Sequence, residues 1–143
     1  MRSLIRAVTV LAALVFAVTI NGPAHADDAV VKEVQAVISA QIDAFKHDDG
    51  AKAYSFASRD VQMMFPSIEM FMSMVKTGYA PVYHPQQFQF GPFQASGDIL
   101  KQTVELTAAD GTAWTAEYSL SKQVDGTLKI SGCRLAKKPG IGA

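Results

Sequence analysis

The chain has 143 residues, with 13 basic and 13 acidic side chains, a formal charge of zero and one cysteine, Cys133. That balance, with no clustered lysines and arginines, lacks the positive excess that displaces counterions from a nucleic-acid backbone, so nucleic acid is not an expected partner. One thiol cannot form an intrachain disulfide, so stability has to come from a packed core.

The first element in the chain reads as a leader. Arg2 and Arg6 make a positive start, Ala7 to Ile20 is a run of 14 apolar residues and threonines, and Ala24-His25-Ala26 offers small residues for a signal peptidase. The pattern predicts a signal peptide over residues 1–26, cleaved after Ala26, and a periplasmic location for what remains. The run is shorter than the roughly 20 residues that a membrane-spanning helix needs, and Asn21-Gly22-Pro23 ends it. No stable membrane anchor is expected after cleavage. A lipid anchor would need a cysteine at the new N-terminus, and Cys133 lies far from it. Residues 27–143 amount to a single domain.

From Ala29 to Lys46 the apolar residues Val30, Val34, Val37, Ile38, Ile42 and Phe45 share one arc at 100° per residue, which predicts an amphipathic helix. Asp27 and Asp28 stand at its positive end, and Lys46 and His47 at its negative end. Asp48-Asp49-Gly50 breaks it and offers an aspartate N-cap to a short helix over Ala51 to Ala57. Val61 to Phe65 predicts another short helix. Ser67 then caps a stripe of Ile68, Phe71, Met72 and Val75 that Gly78 ends. Two prolines between Tyr79 and Pro85 predict an ordered crossover loop there.

The second half alternates instead. Leu100, Val104 and Leu106, then Trp114, Ala116, Tyr118 and Leu120, fall on every second position, as in strands with one buried face. A two-residue turn at Asp110-Gly111 would set Leu106 against Thr115 and put the apolar faces in conflict. A three-residue loop, Ala109-Asp110-Gly111 with Gly111 left-handed, pairs Leu106 with Trp114, Val104 with Ala116 and Gln102 with Tyr118. The same loop at Val124-Asp125-Gly126 pairs Leu120 with Ile130 and sets Tyr118 opposite Gly132. Phe88 and Phe90 add a strand, for a four-stranded meander. Helices followed by strands predict an α+β fold, with N-terminal helices packed on a curved antiparallel four-stranded sheet. That is a cone-like, cystatin or nuclear-transport-factor-2-like architecture.

Several local strings support a more specific likeness: Gln41-Ile42-Asp43-Ala44-Phe45, Asp48-Asp49, Ala57-Ser58, the run from Met74 to Pro85, and Gly132-Cys133. In these the chain resembles a family of small exported bacterial proteins known as domain of unknown function 4864. The resemblance covers nearly all of residues 27–143 and implies the same cone-like fold. It transfers no catalytic residue, because the family has no activity to transfer.

Candidate chemistry has few carriers. Gln41 falls about 20° from Val30 and Val34 on the helical wheel, so its amide faces the sheet beside Gln102 and Tyr118. Those three form either a satisfied structural cluster or the polar lining of a ligand pocket, with Tyr79 and Tyr83 packing or flanking its mouth. Asp43 points away from the arc and is a poor buried base. Met70 and Met74, one turn apart, could pair their thioethers on Cu(I), pack under a neighbour or form a dimer contact. His47 and His84 stand alone, so no zinc site or catalytic triad is expected, and no cofactor. A bulge near Gly132 would turn Cys133 and Leu135 inward; without one, Arg134 would enter the concave face. The leading expectation is a non-catalytic domain that binds a small apolar or amphipathic molecule or a protein partner, a second copy of the chain included. A proton-transfer isomerase or dehydratase and a Cu(I) site are the alternatives.

Overall fold

The computed structural model describes residues 24–140, with side chains from Asp28 onward; the segment 1–23, which holds most of the expected signal peptide, lies outside the described residues. Helix α1 (Ala24–Lys46) starts earlier than the apolar stripe, so Asp27 and Asp28 lie within it rather than ahead of it. Its inner arc is the centre of the core: Val34, Ile38 and Ile42 are fully buried and Phe45 nearly so. The chain reverses at Asp48, whose φ is +54°, a left-handed conformation that aspartate tolerates better than most residues.

Three short polar caps set the helices that follow. Asp49 accepts from Lys52 N at 3.1 Å and starts α2 (Gly50–Ser55); Ser58 accepts from Val61 N at 3.3 Å and starts α3 (Arg59–Met64). Ser67 accepts from Met70 N at 3.1 Å and starts α4 (Ile68–Gly78). Each bond satisfies an otherwise orphaned N–H at a helix start. The segment expected to be a loop contains a further turn of helix, α5 (Ala80–Tyr83). Pro81 sits in its first turn, where no N–H is needed, so a proline that would break a longer helix is harmless in this one.

The sheet runs β1 (Gln87–Ser96), β2 (Ile99–Thr107), β3 (Ala113–Lys122) and β4 (Leu128–Lys137), antiparallel throughout and in the spatial order β1-β2-β3-β4. Across β2 and β3 the pairs are Leu106 with Trp114, Val104 with Ala116 and Gln102 with Tyr118, as the apolar alternation requires. Gly111 and Gly126 hold φ values of +85° and +84° at the hairpin tips, which is what sets both registers. Leu120 pairs with Ile130, but Tyr118 faces Cys133 rather than Gly132, because an extra residue, Ser131, bulges from β4. A second bulge at Gly91-Pro92 bends β1, an edge strand, where a proline costs no ladder bond. The helices cover one face of the sheet, and the α2–α3 link is sewn to β4: Ile130 N donates to Phe56 O and Ser58 N donates to Ile130 O, both at 2.8 Å.

Candidate functional site

Where α1, α3 and α4 meet the β4 edge, the packing leaves a half-open cavity of about 290 Å³. Its walls are apolar: Phe45 from α1, Val61 from α3, Phe71 and Val75 from α4, Val82 from α5 and Ile130 from β4. Aromatic packing holds the far wall in place. The Phe71 ring stacks on Phe45 with centroids 6.3 Å apart and tilts against Tyr54 at 5.3 Å. Tyr54 in turn donates its hydroxyl to Phe65 O at 2.7 Å, and Gln62 Nε2 donates to Tyr54 O at 3.0 Å, so α2 and the α3–α4 link are tied together behind the cavity. Met64, Phe65 and Met74 line the helical side, and Ser131, Gly132 and Cys133 line the strand side.

Among the described residues, no charged side chain and no histidine lines this space. Its polar groups are few. Gln41 is 4% exposed and commits its Nε2 to Ala53 O at 3.1 Å. Tyr118 is 1% exposed, and its hydroxyl is closed off from solvent with no hydrogen-bond partner. An orphaned buried hydroxyl costs ~1–3 kcal/mol, so such a group calls for an explanation. Burial holds the Tyr118 phenol well above its ordinary pKa, with Cys133 a lesser cause, so the group stays neutral and able to donate. Burial likewise pushes the Cys133 thiol up to about 12. A thiol protonated to that pH is a poor nucleophile.

The five residues expected to form a pocket separate into two groups. Gln41, Tyr79 and Tyr118 line the cavity; Gln102 and Tyr83 do not. Gln102 is fully buried, yet it works at the β1 bulge: its Nε2 donates to Gly91 O at 2.9 Å and to Thr103 O at 2.8 Å, and its Oε1 accepts from Gln35 Nε2 at 3.3 Å. Gln41 is therefore bonded to neither Gln102 nor Tyr118, contrary to the shared cluster expected from the register. Tyr83 turns the other way and donates its hydroxyl to Asp48, which also meets His84 Nε2 at 3.2 Å. Asp43 is exposed beside His47, as its place on the wheel implies.

The bulge at Ser131 settles the direction of β4. Cys133 lines the cavity, Leu135 packs against the core and Arg134 is exposed. Met74 lines the cavity and Met70 is 51% exposed; together they border an open groove beyond α4 with Phe65 and Glu69. Sequence reasoning missed the contribution of α3. Met64 ends α3 and Phe65 caps it, off the simple stripe pattern of a short helix; both line the cavity, and the bond from the Tyr54 hydroxyl fixes the backbone at Phe65.

A family model described as "Domain of unknown function (DUF4864)" matches residues 27–143. No curated protein matches. Among solved structures, the chain is similar to an NTF-2 like protein of unknown function from Silicibacter pomeroyi DSS-3, at 12% identity and a TM-score of 0.55, over 78% of this chain and 98% of that one. At that identity the likeness establishes the fold, an NTF-2-like α+β architecture, and nothing about activity.

Proposed function

The chain belongs to the DUF4864 family, and from that premise we propose that its NTF-2-like domain is an exported container for a small apolar molecule, held between α1, α3, α4 and the β4 edge. The observation that carries the reading is the apolar cavity of about 290 Å³. Pockets that hold small molecules start at roughly 300 Å³, and an apolar cavity of roughly 150 Å³ already takes up benzene. Scaling from benzene gives a ligand on the order of ten to fifteen non-hydrogen atoms.

Catalysis by proton transfer needs a carboxylate or imidazole within reach of the substrate. No such side chain lines the cavity among the described residues, which favours binding without chemistry over an isomerase or dehydratase. The family match begins at Asp27, directly after the expected cleavage point at Ala26, and this agrees with a leader followed by one mature domain. Intact-mass measurement of the protein recovered from the periplasm is expected to give a chain starting at Asp27.

Naphthalene tests the container. At tenfold excess over its dissociation constant it should raise the melting temperature by about 3–6 °C. Met74→Trp places an indole at the partly exposed edge of the cavity and should abolish that rise while leaving the fold intact. A wild-type protein indifferent to naphthalene, and behaving like the tryptophan variant, would overturn the reading.

A further inference from the structure

We infer that the open edge of β4 is a docking strip for an extended segment of a partner protein, one that alternates apolar and acidic residues and pairs with Cys133, Leu135 and Lys137 as a fifth strand. The inference goes beyond the container reading and stands without it, because it rests on the edge of the sheet and not on the filling of the cavity. The two edges of the sheet are finished differently. On β1 the Gly91-Pro92 bulge breaks the ladder, and a bulge with a proline is a common guard against a further strand. On β4 the chain covers one position itself: Ala57 forms a parallel bridge with Ile130, whose N–H and C=O are taken by Phe56 O and Ser58 N. Helix α3 then begins at Arg59, and the covering segment stops there.

The alternation of hydrogen bonds shows which groups are free. Lys138 N donates to Ala113 O at 3.0 Å, so Lys138 faces β3, and with it Ala136 and Arg134, paired with Thr115 and Glu117. Cys133, Leu135 and Lys137 therefore turn their N–H and C=O groups away from β3, and among the described residues no backbone group meets them. A strand laid along them gains main-chain bonds, while the two faces of the sheet specify its side chains. Beside Cys133 and Leu135 the concave face is apolar, with Met64, 63% exposed, lining the same cavity as Cys133. On the other face stands Arg134, exposed and, among the described residues, without an ion pair: its cross-strand neighbour Glu117 is paired with Lys101 at 3.6 Å. Strand β4 carries Lys129, Arg134 and Lys137 and no acidic residue. An acidic side chain in the added strand meets Arg134, and its apolar neighbours meet the concave face. The same charge disfavours a second copy, because antiparallel pairing of two β4 edges about Leu135 sets the two Arg134 side chains diagonally across one face.

A capped, fluorescently labelled heptapeptide of alternating valine and glutamate tests the strip by anisotropy on the purified protein. At low salt it is expected to bind, and the same peptide with lysine in place of glutamate should bind about tenfold more weakly, or weaker still. Arg134→Glu changes an exposed side chain, so it should leave the melting temperature unchanged while weakening the glutamate peptide about three- to tenfold. Main-chain pairing has its own signature. An N-methyl group blocks a strand only where its N–H faces β4, so methylating the valines or methylating the glutamates should cost about tenfold, and the other pattern should be tolerated. The valine pattern is the damaging one for antiparallel docking and the glutamate pattern for parallel docking. Absence of binding by the glutamate peptide, equal binding of the glutamate and lysine peptides, or equal effects of the two methylation patterns would each overturn the inference. Sedimentation as a dimer that binds no peptide would overturn it as well and assign the edge to a second copy.

Discussion

Two buried polar side chains lie opposite each other in the same row of the sheet, and the fold treats them in opposite ways. Gln102 on β2 and Tyr118 on β3 are register partners, both essentially without solvent exposure. The amide of Gln102 is used on several sides at once, bracing the Gly91-Pro92 bulge, its own strand and Gln35 of α1. The phenol of Tyr118 is used by nothing. One row therefore holds a structural plug on the β1 side and an unfilled valence on the β4 side, and the cavity lies on the β4 side. The difference separates two uses of a buried polar group: where it is fully satisfied it specifies the fold, and where it is left unpaired it costs stability.

The sharpest way to break this comparison is to remove the plug. Gln102→Leu deletes the donor that serves Gly91 O and Thr103 O and leaves these half-buried carbonyls without it, so it should destabilise the protein by about 1–2 kcal/mol in denaturant unfolding. Probe binding by the remaining folded protein should be little changed, since Gln102 does not line the cavity. If the variant is as stable as wild type, the amide is not a structural element and the contrast with Tyr118 disappears. Tyr118→Phe is the complementary experiment and carries the opposite sign. Removing a hydroxyl that has no partner should leave stability unchanged or raise it by about 1 kcal/mol. A clear loss of stability would mean that the hydroxyl is satisfied in solution, and the two residues would then be alike.

The contrast between the two residues also marks how far the sequence could be read. Alternation and loop length together placed Gln102 beside Tyr118, because a one-residue slip would have turned every apolar group of the hairpin outward. The helix caps at Asp49 and Ser67 were legible for the same reason: each is a local interaction between residues three apart. What the row would do with its two polar groups was not legible. That depends on the Gly91-Pro92 bulge bringing carbonyls to Gln102 and on the Ser131 bulge shifting Cys133, in place of Gly132, to face Tyr118. A bulge adds one residue to one strand, and the sequence marks it only by a glycine or proline that has several other uses. The same limit applies to Tyr83. In the sequence Tyr79 and Tyr83 stand two residues to either side of Pro81 and look equivalent, but one turn of helix sends Tyr79 to the cavity and Tyr83 to Asp48.

That last pair extends the comparison to the surface, where the smallest effect is expected. Tyr83 is a phenol with a partner: its hydroxyl donates to Asp48, and His84 Nε2 approaches the same carboxylate at 3.2 Å. The Tyr83 hydrogen bond first, and the His84 contact second, hold the Asp48 carboxyl below its ordinary range; the same bond raises the Tyr83 phenol. For an acid whose pKa is lower folded than unfolded, the stabilisation is present above the unfolded value, 3.8 for aspartate, and is lost as pH falls through the folded one. For a phenol raised above its usual 10.0, it is present below that value and lost as pH rises through the folded one. The contact therefore contributes across the neutral range and fades at both extremes. Both groups are open to solvent, so the effect is small and should weaken with added salt. Asp48→Asn keeps a residue that accepts the left-handed backbone and removes the charge. Between about pH 5 and about pH 3 the wild-type denaturation midpoint should fall more steeply than that of Asp48→Asn, and Tyr83→Phe should follow the variant more closely than the wild type. Parallel curves for all three proteins would show that the Tyr83–Asp48 contact carries no free energy. Tyr83 and Tyr118 would then be alike in carrying a hydroxyl that adds nothing to the stability of the fold.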